Sequence, residues 1–444
     1  MRLLVSSLIC LAGLCGVAAA QTVESQVTQE LPALVQQYKQ LHQHPELSHH
    51  EEKTASLFAA QLRAAGFTVT EHVGRYPDGV QAFGVVGVLN NGSGKTLLIR
   101  TELDALPVVE QTGLPYASTV HVRNQANQDV GVMHACGHDI HITTAIGTAQ
   151  ALTALKTQWK GTLLVIGQPS EETIDGAKAM LADGLYERFG RPDYVIGLHD
   201  TSNFIAGQVS VVPGAALASS TSVDVVMRGV GAHGSSPERG KDPVVMAAEF
   251  IVALQTLVSR QIPPQEPAVV TVGDIHGGTK RNIIPDEVKM ELTTRSYNEA
   301  IRQTILTGIK RTADGIAYAA GVPEERMPIV TLVEQESTPA TYNDPALSRR
   351  LNDLFIRSLG RDNVIESAPI MASDDFGILN LDGKIPSVLY WLGTATPEQM
   401  AESRKTGIPL PSAHSPFFAP APEKTIETGI FSMTTAALEL LSGR

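Results

Sequence analysis

The chain has 444 residues, 43% of them hydrophobic and 18% charged, and a formal net charge of -12. That length calls for more than one core, and that composition excludes an intrinsically disordered chain. The acidic balance, with no cluster of Lys and Arg, excludes a nucleic-acid partner.

At the N terminus, Arg2 precedes an almost wholly apolar run from Leu3 to Val17, and the small residues Ala18, Ala19 and Ala20 precede Gln21. This is the pattern of a secretory signal. The run is shorter than the roughly 20 residues that a membrane span needs. The expectation is an exported protein, periplasmic or secreted, cleaved after Ala20 and free of the membrane thereafter. Cys10 and Cys15 leave with the signal (residues 1–20), so Cys136 stands alone and no intramolecular disulfide forms. A lone thiol in an oxidising compartment is vulnerable unless it is buried or bound to metal.

Further along, Ala55, Phe58, Leu62 and Ala65 recur at helical spacing over residues 51–65, with Gly66 as a stop. A second helix is predicted over residues 141–157. Short apolar runs at 84–89, 97–101, 163–167 and 194–198 read as strands buried on both faces. Their alternation with helices predicts an α/β domain with a mixed, largely parallel sheet between helices. From residue 219 the pattern changes to strand 219–228, helix 243–259, strands 268–276 and 287–295, helix 298–320 and strand 328–334. That order, β-α-β-β-α-β, is a ferredoxin-like unit. Helical and strand patterns resume after Asn343 and end in a helix over 423–441. The expectation is therefore two domains, 21–217 with 336–444 and an insertion at 218–335.

The sharpest motif is Met133-His134-Ala135-Cys136-Gly137-His138-Asp139-Ile140-His141. Thiolate and imidazole are ligands that soft and borderline divalent metals prefer, and an intervening Gly lets Cys136 and His138 turn toward one ion. Asp139 is placed to orient a ligating imidazole. Glu171 and Glu172 follow the strand 163–167, and adjacent carboxylates on a loop point in different directions. One can ligate metal while the other takes a proton from water. His199 comes at the end of the strand 194–198, where α/β sheets place their sites. His414 lies in the Pro-bounded loop Ser412-Ala413-His414-Ser415-Pro416. Each of these acidic or histidine pieces alone reads more readily as an ordinary structural residue, and their weight comes from joining the others. The inserted unit adds His233 in a Gly-rich turn, and Asn282 with Arg295, a pair suited to gripping a carboxylate.

Taken together, these pieces resemble the metal-dependent aminoacylase and carboxypeptidase family, in its hippurate hydrolase and indole-acetyl-amino-acid hydrolase branch. The matching segments also include Leu41 to Ser48, Leu103-Asp104-Ala105-Leu106-Pro107 and Asn282 to Asp286, in family order over nearly the whole mature chain. The resemblance implies a catalytic domain with an inserted lid and dimerisation domain, and a homodimer. It implies two divalent ions, Zn or Mn with Co or Ni admissible, on Cys136, His138, Glu172, His199 and His414, with Cys136 bridging. Glu171 would be the general base, and His233 would stabilise the oxyanion from the same or the neighbouring subunit. Asn282 and Arg295 would contact substrate, and Asp104 and Asp139 would support the ligands. Glu102 and Asp200 depart from the branch, which more usually has Asp and an apolar residue there.

The expected chemistry is hydrolysis of the amide bond of a small N-acyl amino acid or peptide, by attack of a metal-bridging water with Glu171 as base. A dipeptidase or carboxypeptidase with the same chemistry is the nearest alternative. A Cys136 nucleophile would leave Glu171, Glu172, His199 and His414 idle. A non-catalytic exported binding protein on the same fold is the remaining alternative.

Overall fold

The computed structural model describes residues 22–123 and 127–442. The secretory-signal expectation concerns residues that lie outside these. In chain order the main elements are α1 (Val23–Gln43), α2 (Glu52–Ala64), β1 (Thr68–Arg75), β2 (Gln81–Asn90), β3 (Thr96–Glu102), α3 (His138–Ala154), β4 (Thr162–Gln168), α4 (Gly176–Ala182), β5 (Tyr194–Ile205) and β6 (Val209–Ser210). There follow β7 (Ser219–Arg228), α5 (Pro243–Thr256), β8 (Ala268–Gly277), β9 (Glu287–Ser296), α6 (Glu299–Ala319), β10 (Ile329–Thr338), α7 (Pro345–Leu359), β11 (Ser387–Ala395) and α8 (Pro422–Leu441).

Seven strands form one sheet in the order β1-β2-β4-β3-β5-β11-β6. The central β4, β3, β5 and β11 run parallel, while β1, β2 and β6 are antiparallel to their neighbours. Side chains alternate across a strand, and here both faces are buried. Leu97, Ile99, Leu163, Val165 and Ile196 pack with Tyr38, Phe58, Ile146 and Ile430 of α1, α2, α3 and α8. Leu98, Leu164, Ile166 and Val195 pack on the opposite face with Ala177 and Met180 of α4 and with Phe376. This three-layer arrangement is the expected α/β class.

The smaller sheet has the order β8-β9-β7-β10, all antiparallel. Val223, Val225 and Met227 of β7 face α5 and α6 over a core that includes Phe250, Leu254, Ile305 and Ile309. Its helix-free face carries Ser220 opposite Arg295 and Ser222 opposite Thr293, and these four residues line a cavity shared with the larger sheet. Lys178 of α4 reaches across, donating to the carbonyls of Glu334 at 2.6 Å and Gln335 at 3.3 Å, and to that of Ser337.

Two element boundaries differ from expectation in ways that matter for the site. α3 begins at His138 and not at 141, because Gly137 takes a left-handed turn (φ 77°) that feeds the chain directly into the helix. β5 does not stop at 198 but continues to Ile205, still paired with β11 through Thr201. Its pairing with β3 ends at Gly197, so His199 lies where β5 outruns one neighbour.

Candidate active site

The carboxyl ends of β3, β4 and β5 converge on a cavity of about 990 Å³ lined by Cys136, Glu171, Glu172, His199, Arg295 and His414 among others. This is where parallel sheets build their sites. After β4 the chain turns sharply, with Ser170 (φ 51°) and Ile174 (φ 63°) in the left-handed region that disfavours side chains. Buried Glu51 holds the turn, accepting from the Ser170 N–H at 2.8 Å, the Ser170 hydroxyl at 2.9 Å and the His49 N–H at 2.9 Å. The turn projects Glu171 and Glu172 into the cavity.

The expected ligand atoms come together there. Cys136 Sγ lies 3.5 Å from His199 Nε2, and His138 Nε2 lies 3.8 Å from Glu171 Oε2 and 3.9 Å from Glu172 Oε1. His414 Nε2 lies 3.4 Å from Glu172 Oε2. Two groups with metal-binding spacing share Cys136, one with His138 and His199 and the other with Glu172 and His414. Asp104 braces both sides: its Oδ2 accepts from the Glu172 N–H at 3.0 Å and from Ser48 at 2.7 Å, and its carbonyl accepts from His138 Nδ1 at 2.8 Å.

These residues fit a metal centre. His138 Nε2 and Glu172 Oε1 are buried with no hydrogen-bond partner among the described residues, a costly arrangement unless a further group meets them. Burial, aided by the Glu172 and Glu171 carboxylates, pushes the Cys136 thiol well above its usual range, so a thiolate there calls for a cation. Burial and the Asp374 and Glu172 charges likewise push Glu171 well above the carboxylate range. Glu172 is raised to about 7, with burial outweighing the pull of His138. Burial opposes charge on His138, yet its Asp104 contact and the Glu102 and Glu172 carboxylates raise it to about 10. One thiolate, three imidazoles and a carboxylate form a donor set for Zn or Mn.

Three expectations fall elsewhere. Asp139 supports no ligand: its Oδ2 pairs with His42 Nδ1 at 2.7 Å, and His42 Nε2 meets Glu110 at 3.1 Å. Neighbours on a helix point about 100° apart, so Asp139 turns away from Glu171 and Glu172, which His138 faces. His233 is exposed, its Nδ1 accepting from the Ser235 N–H at 3.1 Å, and it does not line the cavity. Asn282 sits beside it, its carbonyl accepting from Gly234 N–H at 2.8 Å. Arg295 does line the cavity and donates to Ser373 at 2.6 Å.

In the layer beneath, the sequence marks Glu102 and Asp200 as departures but gives no sign of their partners. Buried Arg100 pairs with Glu102, with Asp374 at 2.9 Å and with Asp375 at 3.1 Å. Glu102 also accepts from His141 Nδ1 at 3.0 Å, and His141 Nε2 accepts the Asp200 N–H at 2.9 Å. The available signal was a pair of charged residues in one otherwise apolar strand, Arg100 and Glu102 in β3.

Fold and site together define a metal-dependent hydrolase, with a parallel-sheet cavity holding a thiol, imidazoles and paired carboxylates. The sequence profile of peptidase family M20/M25/M40 matches residues 98–406, and the chain belongs to this family. It is 36% identical over 357 residues to an N-acetyldiaminopimelate deacetylase of Leuconostoc citreum, covering 80% of this chain and 86% of that one. It is 36% identical over 340 residues to a hippurate hydrolase of Campylobacter jejuni, covering 76% and 82%. The crystal structure of the Bacillus subtilis YXEP protein, a dinuclear metal-binding peptidase of the M20 family, superposes with a TM-score of 0.74. Its identity to this chain is 27%, and the match covers 94% of this chain and 100% of that one.

Proposed function

We propose that this protein hydrolyses the amide bond of small N-acyl amino acids or short peptides, using two divalent cations held by Cys136, His138, Glu172, His199 and His414. The observation that carries the reading is the convergence of these five side chains, from four separate stretches of chain, around unpartnered buried ligand atoms beside Glu171. When bound, such cations would polarise the amide carbonyl and acidify a water. Glu171 takes the proton from the attacking water and passes it to the leaving amine. Its raised proton affinity suits the first task, and its place next to Glu172 keeps it within reach of both partners. Arg295, braced by Ser373, receives the substrate carboxylate. The test is an assay of the metal-loaded protein against N-acetyl and N-benzoyl amino acids and dipeptides, with and without chelator. Hydrolysis that stops with chelator and returns with Zn or Mn is expected; turnover undiminished in metal-free protein sinks the reading.

The functional unit in this reading is a homodimer. Edge strand β8 and the exposed Val244, Val245 and Val252 of α5 offer a surface for a second copy. His233 and Asn282 then serve the neighbouring subunit's cavity, His233 as oxyanion donor. Mixing inactive His233→Ala and Glu171→Gln proteins should restore activity by forming hybrid dimers; no restoration counts against it. Export is inferred from the Arg2 to Ala20 pattern, and a mature N terminus other than Gln21 would overturn the cleavage site.

A further inference from the structure

Asp200 presents an unusual situation beside the ligand cluster. It is 1% exposed, and neither carboxylate oxygen has a hydrogen-bond partner among the described residues. The two nearest ring nitrogens are committed elsewhere. His141 Nε2 lies 3.6 Å from Asp200 Oδ1, beyond hydrogen-bond distance, and accepts the Asp200 N–H. His199 Nδ1, 3.7 Å from Oδ1, donates to the Asp200 main-chain carbonyl at 2.9 Å. On its remaining side the carboxylate packs against Gly137, so closely that a Cβ there would lie 2.1 Å from Oδ2. The neighbouring carboxylates Glu102, Asp104 and Asp374 each have a compensating contact: Glu102 has Arg100 and His141, Asp104 has Ser48 and the Glu172 N–H, and Asp374 has Arg100.

A buried anion without a donor destabilises the molecule that carries it. Asp200 also lies between the two sequence neighbours of the cluster, next to His199 and against the glycine that separates Cys136 from His138. We propose that Asp200 is a charge-balancing positioning residue for the metal centre. Its carboxylate is left for the bound cations to compensate, which raises their affinity at the expense of the metal-free fold. The inference rests on the two-cation reading above and adds to it a residue outside the ligand set.

The consequence has two opposite signs, which ordinary packing would not produce. Manganese(II) and zinc(II) are titrated separately into the full mature chain stripped by chelator, and the melting temperature is measured without metal, for wild type, Asp200→Asn and Asp200→Leu. Both variants should bind metal about tenfold or more weakly, the range for outer residues of metal sites. Both should melt about 2 °C or more above wild type when metal-free. Wild-type binding that matches the variants overturns the inference, as does a metal-free melting temperature lowered in both variants or a failure of both to fold. Wild type that takes up neither ion overturns the two-cation reading itself, a result distinct from the others because it appears before any variant is compared.

Discussion

Replacing Gly137 by Ala probes how the chain brings Cys136 and His138 onto one centre. Gly137 has φ 77°, and an added Cβ would sit 2.1 Å from Asp200 Oδ2 and 2.5 Å from its Cγ. The left-handed conformation costs an L-residue roughly 1–2 kcal/mol. Forcing a methyl into a filled interior adds about 1–3 kcal/mol. If the metal-binding conformation bears the whole penalty, about 2–5 kcal/mol translates to an affinity loss between about 30-fold and several thousand-fold. The measurement is competition for manganese(II) against a chromophoric chelator, with far-ultraviolet circular dichroism to establish that the fold persists. The steric share is separable. In an Asp200→Ala background the same glycine change should retain only the conformational part, roughly 5- to 30-fold. Binding by Gly137→Ala within about threefold of wild type would refute the argument, because that is under 1 kcal/mol.

Glu171→Gln should retain both metal binding and fold while turnover drops roughly 100-fold or more, the usual share of a general base; steady-state rates near wild type would remove Glu171 from that role. Arg100→Met strands Glu102, Asp374 and Asp375 in the interior, and should cost about 3–5 kcal/mol in urea denaturation, with about 1 kcal/mol or less counting against the buried network. The His42 pair makes a pH prediction. Burial disfavours the His42 cation, but its bonds to Asp139 and Glu110 raise it from 6.5 to about 10. The folded state therefore holds this proton more tightly than the unfolded chain, so the stabilisation is complete below about 6.5 and is lost as pH rises toward about 10. Urea midpoints of wild type should fall over that window, and the fall should be smaller in His42→Gln. Parallel pH profiles for the two proteins would refute the assignment.

The residues at the centre were legible because they cluster in short motifs whose types have few other uses together: thiol and imidazole two apart, paired carboxylates after an apolar strand. The supports beneath were not. Arg100 and Glu102 each look like a lone charge in a strand, and their partners Asp374 and Asp375 lie more than 270 positions away. Asp139 misled because adjacency in sequence is not adjacency on a helix, a mistake compounded by starting α3 three residues late. The order β-α-β-β-α-β was readable because each segment carries a clean period, 2 or 3.6, over ten or more residues in most cases. α1 was missed: Gln-rich stretches and Pro32 inside the helix blur its periodicity. β1 has only Val73 and Gly74 fully buried, which is weak patterning for an edge strand.

His414 is unlike its companions. It stands on a Pro-bounded loop in a left-handed conformation (φ 69°), with its side chain 57% exposed while Cys136 and His138 are buried. In the two-cation reading, a centre held by buried residues on one side and by a surface residue on the other has a front door. Ions would enter and depart past His414, the two would be surrendered in sequence under a chelator, and the half holding His414 would empty first.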